Sequence, residues 1–191
     1  MNILEILNQL NFVALFLIFI ISKLVIETYL KIRNINSINE NKETIPERFI
    51  DVVTEEEYKK SINYNIERIR FSILTSVFGV GVLLFFTIGG MLNNLTVFVQ
   101  GVTASNVIGA IFLGLLLIVI GEIIEIPLAV YSTFHIEEKY GFNKTTTKTF
   151  VTDLFKNLLI QSIFSSILYA IVISIIENLG NNWWIYAFIA V

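Results

Sequence analysis

The sequence predicts an all-α fold, a multi-pass bundle of transmembrane helices with four full spans and the start of a fifth, and three observations carry that prediction. The chain is 55% hydrophobic and only 15% charged, whereas soluble domains carry about 25% charged residues. With a mean hydropathy of +0.74, the bilayer is its solvent. Four near-continuous apolar runs are long enough to cross a hydrocarbon core of ~30 Å, and nowhere does polarity alternate in the manner of a strand.

The first run spans about Leu10 to Leu30. No basic residue precedes its apolar stretch and no small-residue cleavage site follows it, so it reads as a retained anchor rather than a signal peptide. A polar stretch follows, broken by Pro46. Thr54 with Glu57 three residues on is a capping-box pattern, which predicts a helix starting at Glu55. Along it Tyr58, Ile62, Ile66 and Ile69 share one face, opposite Glu56, Lys59, Lys60, Asn63, Glu67 and Arg70. That amphipathic face is expected to lie on the membrane surface or on a neighbouring loop and to lead into the second span.

The second, third and fourth spans are placed at about Phe71 to Leu92, Ile108 to Tyr131 and Leu154 to Ile176, leaving Leu92 to Val107 and Glu177 to Asn182 as connecting loops. Pairs of small residues four apart, Ala110 with Gly114 and Ser162 with Ser166, allow close helix approach. A fifth span opens at Trp183-Trp184, an aromatic pair suited to an interfacial belt. The nine residues from Trp183 to Val191 reach only ~13 to 14 Å as helix, so this span reads as unfinished and the chain as shortened.

The basic residues set an orientation. Met1 to Ser22 holds none, Lys31 to Arg70 holds eight of the 13, Phe71 to Glu138 holds no Lys or Arg, and Lys139 to Lys156 holds four. Lys23 can snorkel to the same side as Lys31. The positive-inside pattern puts the N-terminus outside and the 31–70 and 132–153 segments in the cytoplasm.

Composition also excludes functions. A net charge of −3 with no basic face argues against nucleic acid as a partner. With no Cys and a single His, disulfides, thiolate metal sites and a His-rich metal site are ruled out, and no metal or cofactor is expected on this chain. No H-E-x-x-H, no Gly-rich phosphate loop and no nucleophile beside a base occurs, so no catalytic residue is assigned.

Polar groups are out of place in the third span. Glu122 and Glu125 lie three apart on one helical face just before Pro127, in an otherwise hydrocarbon segment. A carboxylate in a bilayer core is costly, so such groups face a protein interior or a water-filled cavity. Two readings stay open: the pair lines a hydrated chamber, or it hydrogen-bonds to neighbouring helices near the cytoplasmic edge. Pro127 is expected to kink the helix and free the acceptor near Ile123. His135, ten residues past Glu125, does not complete a ligand set by spacing. Asn157 and Gln161 read as inter-helix hydrogen-bonding groups.

From Pro127 the chain runs P-L-A-V-Y-S-T-F-H-I-E-E-K-Y-G-F-N-K-T to Thr145, then on to Phe150, Asp153 and Lys156. This run closely resembles the loop signature of the CAAX prenyl protease type 1 family. Glu57-Tyr58-Lys59-Lys60-Ser61, Tyr64, Glu67-Arg68, Phe71 and Trp183-Trp184 resemble further family positions, so the likeness covers about Tyr29 to Trp184. His135 departs from it, standing where the family usually has an apolar residue.

The resemblance implies that residues 1–191 are the N-terminal membrane domain of a zinc metalloendopeptidase. Its helices would surround a water-filled chamber and its substrates would be CAAX-type prenylated proteins or other membrane peptides. Zinc and the catalytic residues would lie in a C-terminal catalytic half beyond Val191. The loop motif carried over comprises Tyr131, Thr133, Phe134, Glu137, Glu138, Gly141, Phe142, Asn143, Asp153 and Lys156, as a hinge between spans or as a substrate-facing segment. Gly141 is expected to supply a turn with positive φ. The membrane would be the plasma membrane in a prokaryote or the endoplasmic reticulum in a eukaryote.

Two rival readings have other chemistry: a stand-alone membrane scaffold or pseudoenzyme, and a small transporter relaying cations or protons through Glu122 and Glu125. The unfinished fifth span argues against both.

Overall fold

The computed structural model describes residues 3–43, 45–46, 53–179, 183–184 and 188. They form five helices: α1 (Ile3–Asn41), α2 (Glu55–Thr87), α3 (Met91–Val102), α4 (Asn106–Tyr131) and α5 (Thr147–Leu179), with a π-helical turn, Ser132–Glu137, continuing α4. No strand occurs among the described residues. Among the described residues, four helical stretches are long and apolar enough to cross a membrane: Asn11–Asn41, Glu55–Thr87, Asn106–Glu137 and Thr147–Asn178.

Several helices extend beyond their predicted apolar windows, because hydropathy marks the part that meets lipid whereas helical hydrogen bonding continues into water. Glu55 opens α2 as the capping box requires. The Thr54 N–H donates to Glu57 Oε2 at 3.0 Å, and the Glu57 N–H donates to Thr54 Oγ1 at 3.2 Å. Each bond satisfies an amide that the first turn leaves without a helical acceptor.

Two expectations are corrected. The segment Leu92 to Val107, read as a loop, contains helix α3. Gly90 with φ 77° ends the preceding turn in the left-handed conformation, and the apolar residues of α3 recur at helical spacing. Glu177, assigned to an outer loop, lies inside α5. Pro127 sits within α4, and π geometry follows five residues later, at Ser132–Glu137. The predicted fifth span lies largely outside the described residues; Trp183 and Trp184 are exposed.

The described residues divide into two compact units. One comprises α1, α2 as far as Leu84, and Phe134–Phe142. In it Lys31 Nζ reaches from α1 to α2, donating to Ser72 O at 3.1 Å and Ser76 Oγ at 2.7 Å. Ile66 and Ile136 are its buried side chains.

The other unit comprises Phe85–Thr133 and the chain from Asn143 onward. Here α4 and α5 run antiparallel and meet at three matched levels, each eight residues from the next on both helices. Asn106 Nδ2 donates to Glu177 Oε1 at 3.1 Å, Gly114 packs under the Tyr169 ring, and Gln161 Nε2 donates to Glu122 Oε1 at 3.2 Å. A Cβ on Gly114 would collide with that ring. The middle level is therefore a knob set into a glycine notch, which lets the two backbones approach.

Candidate functional site

The loop motif is shaped by its own backbone. Past the π-helical turn, the Gly141 N–H donates to Glu138 O and the Phe142 N–H to Glu137 O, both at 2.9 Å. These two bonds, with Gly141 at φ 67°, make a Schellman closure, which satisfies the last carbonyls of the helix. Glycine is needed because a side chain in this left-handed region strains the backbone. Glu137 and Glu138 thus act in the closure through their carbonyls.

The closed segment is held on α2 by one carboxylate. Glu67 Oε2 accepts from Lys139 Nζ at 2.6 Å and from the Tyr140 hydroxyl at 2.7 Å. Tyr64, one turn earlier on α2, meets Tyr140 edge-on at 5.6 Å and Phe142 at 4.7 Å between ring centroids. Lys60 Nζ lies 5.8 Å from the centre of the Phe142 ring and Lys139 Nζ 5.2 Å from that of Tyr140. Aromatic pairs of this geometry contribute about 0.5–1.5 kcal/mol beyond their buried area.

The electrostatics follow the geometry. The bond to Glu67 holds the Lys139 ammonium charged to higher pH than usual. Burial, and then the bond to Glu67, push the Tyr140 phenol up.

Glu67 was expected on the solvent face, opposite Ile62 and Ile66; it is instead the centre of this clamp. The spacing of Lys60, Tyr64 and Glu67, four and three apart, was the available signal. It marks a second helical face on which an aromatic interrupts the polar residues. What local spacing could not supply is the partner some seventy residues away.

The other predicted residues are placed as follows. Tyr131 ends α4 and is exposed, Thr133 and Phe134 are half-buried in the π-helical turn, and Phe142 keeps part of its ring exposed while meeting Tyr64. Asn143 Oδ1 accepts the Thr145 N–H at 2.6 Å, an Asx-type turn leading into α5. Thr146 Oγ1 then caps that helix by accepting the Thr149 N–H at 3.1 Å. Asp153 and Lys156 form an exposed pair at 3.6 Å, which adds little stability. Glu122 is half-buried against Gln161, and Glu125 is exposed.

Among the described residues no group of three His, Cys, Asp or Glu side chains could hold a metal ion. The donor set of the whole chain includes one His and no Cys, and it does not fit a zinc site. What the arrangement can do is hold a shaped loop and present carboxylates from α4.

Residues 34–191 match the family described as CAAX prenyl protease N-terminal, five membrane helices. The chain is 33% identical over 184 residues to the probable CAAX prenyl protease 1 of Schizosaccharomyces pombe, an alignment covering 88% of this chain and 38% of that protein. It is 31% identical over 187 residues to CAAX prenyl protease 1 of Saccharomyces cerevisiae, covering 91% and 40%. Among solved structures it is similar to S. mikatae Ste24p, with a TM-score of 0.79 and 25% identity over 90% of this chain and 41% of that one. The chain thus spans about two fifths of the length of these relatives.

Proposed function

The chain belongs to the CAAX prenyl protease N-terminal family, and from that premise we propose that it serves as the membrane domain of a zinc metalloendopeptidase acting on CAAX-type or other membrane peptides. It anchors the enzyme, contributes Glu122 and Glu125 to the wall of a hydrated chamber, and hydrolyses nothing by itself. Zinc and the residues that activate water belong to a C-terminal catalytic half. When bound there, zinc supplies a polarised water; the residues of this chain position and enclose.

The observation that supports this most is the clamped loop. The stretch Tyr131–Asn143 resembles the family signature, and in it Gly141 closes the turn while Glu67 holds Lys139 and Tyr140. Residues so tightly arranged in an exposed connection need a reason beyond joining two spans. Glu138, and the parts of Phe142 and Lys139 that the contacts with α2 leave exposed, are the candidates for touching substrate.

The positive-inside pattern supports an outside N-terminus with this loop in the cytoplasm. The membrane is the plasma membrane in a prokaryote and the endoplasmic reticulum in a eukaryote.

The test uses vesicles holding this chain alone or together with the C-terminal remainder of the S. pombe relative, supplied with a prenylated CAAX peptide. Cleavage is expected only with both pieces present. Cleavage by this chain alone would overturn the reading. So would an inactive pair under conditions where the S. pombe protein, split at the same position, is active.

A further inference from the structure

Helix α3 takes no part in the clamp on the loop motif, yet its surface has a defined chemistry. Its sequence, MLNNLTVFVQGV, has 12 residues and no charge. At 100° per residue, Met91, Leu92, Leu95, Phe98, Val99 and Val102 fall in one arc, with Asn93 and Gln100 opposite. Part of that arc is used internally: Val99 is buried beside Gly109, and Phe98 meets the Phe112 ring at 6.3 Å. The rest is open, with Leu92 38%, Phe98 56% and Val102 60% exposed.

Two constraints say what covers it. Twelve residues reach ~18 Å as helix, well short of the ~30 Å of a hydrocarbon core, so α3 does not span. Only Ile88–Gly90 and Thr103–Ser105 separate it from α2 and α4, and three residues reach about 10 Å at most. Both ends are therefore tethered close to the ends of membrane-length helices. The adjoining level of α4 and α5 carries the Asn106–Glu177 pair, and an ionisable group there marks the edge of the hydrocarbon rather than its middle. The open arc continues an exposed apolar surface, since Phe85, Ile88 and Ile108 on either side of it in sequence are exposed as well.

We propose that α3 is an interfacial helix whose open apolar arc seats in the boundary between acyl chains and headgroups, with Asn93 and Gln100 turned to water. Its partner is the lipid surface itself. Having no Lys or Arg, it takes hold by apolar burial and does not select anionic headgroups. A helix of this kind fixes the depth and tilt of the α4–α5 pair to which Val99 binds it. The inference requires only that the chain spans a membrane, and it stands apart from the protease reading.

The experiment uses the full chain in phosphatidylcholine vesicles, with Trp183→Phe and Trp184→Phe removing the native fluorophores. Phe98→Trp supplies a reporter, Val102→Trp a second one should the first disturb packing on Phe112, and Asn93→Trp one on the opposite face. Nitroxide lipids labelled near the headgroup should quench the Phe98→Trp and Val102→Trp reporters about twofold more than lipids labelled deep in the acyl chain. Adding phosphatidylserine should change nothing, and aqueous iodide should quench only the Asn93→Trp reporter. Strongest quenching by the deep label, quenching of Phe98→Trp and Val102→Trp by iodide, or protection from every quencher would each overturn the proposal. The last would mean that protein covers the arc.

Discussion

Glu67→Ala should release the loop that carries the family signature. In the native chain one oxygen of Glu67 takes both Lys139 Nζ at 2.6 Å and the Tyr140 hydroxyl at 2.7 Å. Two effects compete for the larger share. The ion pair is the shorter contact, but the Lys139 side chain is 53% exposed, so water and salt screen it and its contribution is small. The Tyr140 hydroxyl is better shielded and donates to an ionised acceptor, a bond worth roughly 1.5–3 kcal/mol. Removing the carboxylate should therefore stabilise the opened loop by about 2 kcal/mol relative to the closed one, close to a thirtyfold shift.

The amides of Gly141 and Phe142 report this opening, because both are bonded inside the closure. Their hydrogen exchange in the membrane-embedded chain should accelerate by ten- to thirtyfold in Glu67→Ala. Tyr140→Phe should produce most of that change and Lys139→Met a smaller part. In a double-mutant cycle Glu67 and Tyr140 should couple more strongly than Glu67 and Lys139. Unchanged exchange at Gly141 and Phe142 in Glu67→Ala would refute the clamp; a larger effect from Lys139→Met than from Tyr140→Phe would refute the ranking.

Other consequences follow from the same geometry. Gly141→Ala forces a side chain into φ 67° with its Cβ 3.4 Å from Lys60 Nζ, so it should destabilise the closure by about 1–2 kcal/mol and speed the same two amides. Gly114→Ala sets a methyl into the Tyr169 ring and should cost about 1–3 kcal/mol in thermal unfolding. Gly121→Ala, with nothing within 4 Å, should be neutral or mildly stabilising; equal losses at both positions would count against the notch. Tyr140 should ionise above the ordinary tyrosine value, as read by phenolate absorbance against Tyr140→Phe, and Glu67→Gln should bring it down. Because Tyr140 and Lys139 are both raised on folding, their contribution is complete below their unfolded values and is lost only as pH climbs through the folded ones. The closure should therefore hold at neutral pH and loosen on the alkaline side.

Much of the fold was legible in local pattern. Four apolar runs gave the spans, Thr54 and Glu57 gave the start of α2, and Gly141 inside the loop motif gave its turn. Each rests on chemistry confined to a few neighbouring residues. Helix α3 was missed because Asn93, Asn94 and Gln100 interrupt its apolar residues, and a search for unbroken hydrocarbon passes over a short amphipathic helix.

The clamp was only half visible. Lys139 and Tyr140 stand in the quoted motif and Glu67 in another, but nothing local to either says that they meet. The matched levels along α4 and α5 were hidden for the same reason. Gln161 was read as a hydrogen-bonding residue and Glu122 as misplaced, yet their pairing depends on the antiparallel register of two long helices. The π geometry of Ser132–Glu137 likewise has no local signal in its sequence, STFHIE.

The proposed membrane domain requires four bilayer crossings that leave the two basic segments on one side. The most direct measurement introduces single cysteines into this cysteine-free sequence and labels them from either side of sealed vesicles with an impermeant maleimide. Asn63→Cys and Lys144→Cys should react from one side, and Asn94→Cys and Asn178→Cys from the other. Labelling of positions 63 and 144 from opposite sides would contradict the topology on which the clamp and the proposed membrane domain depend.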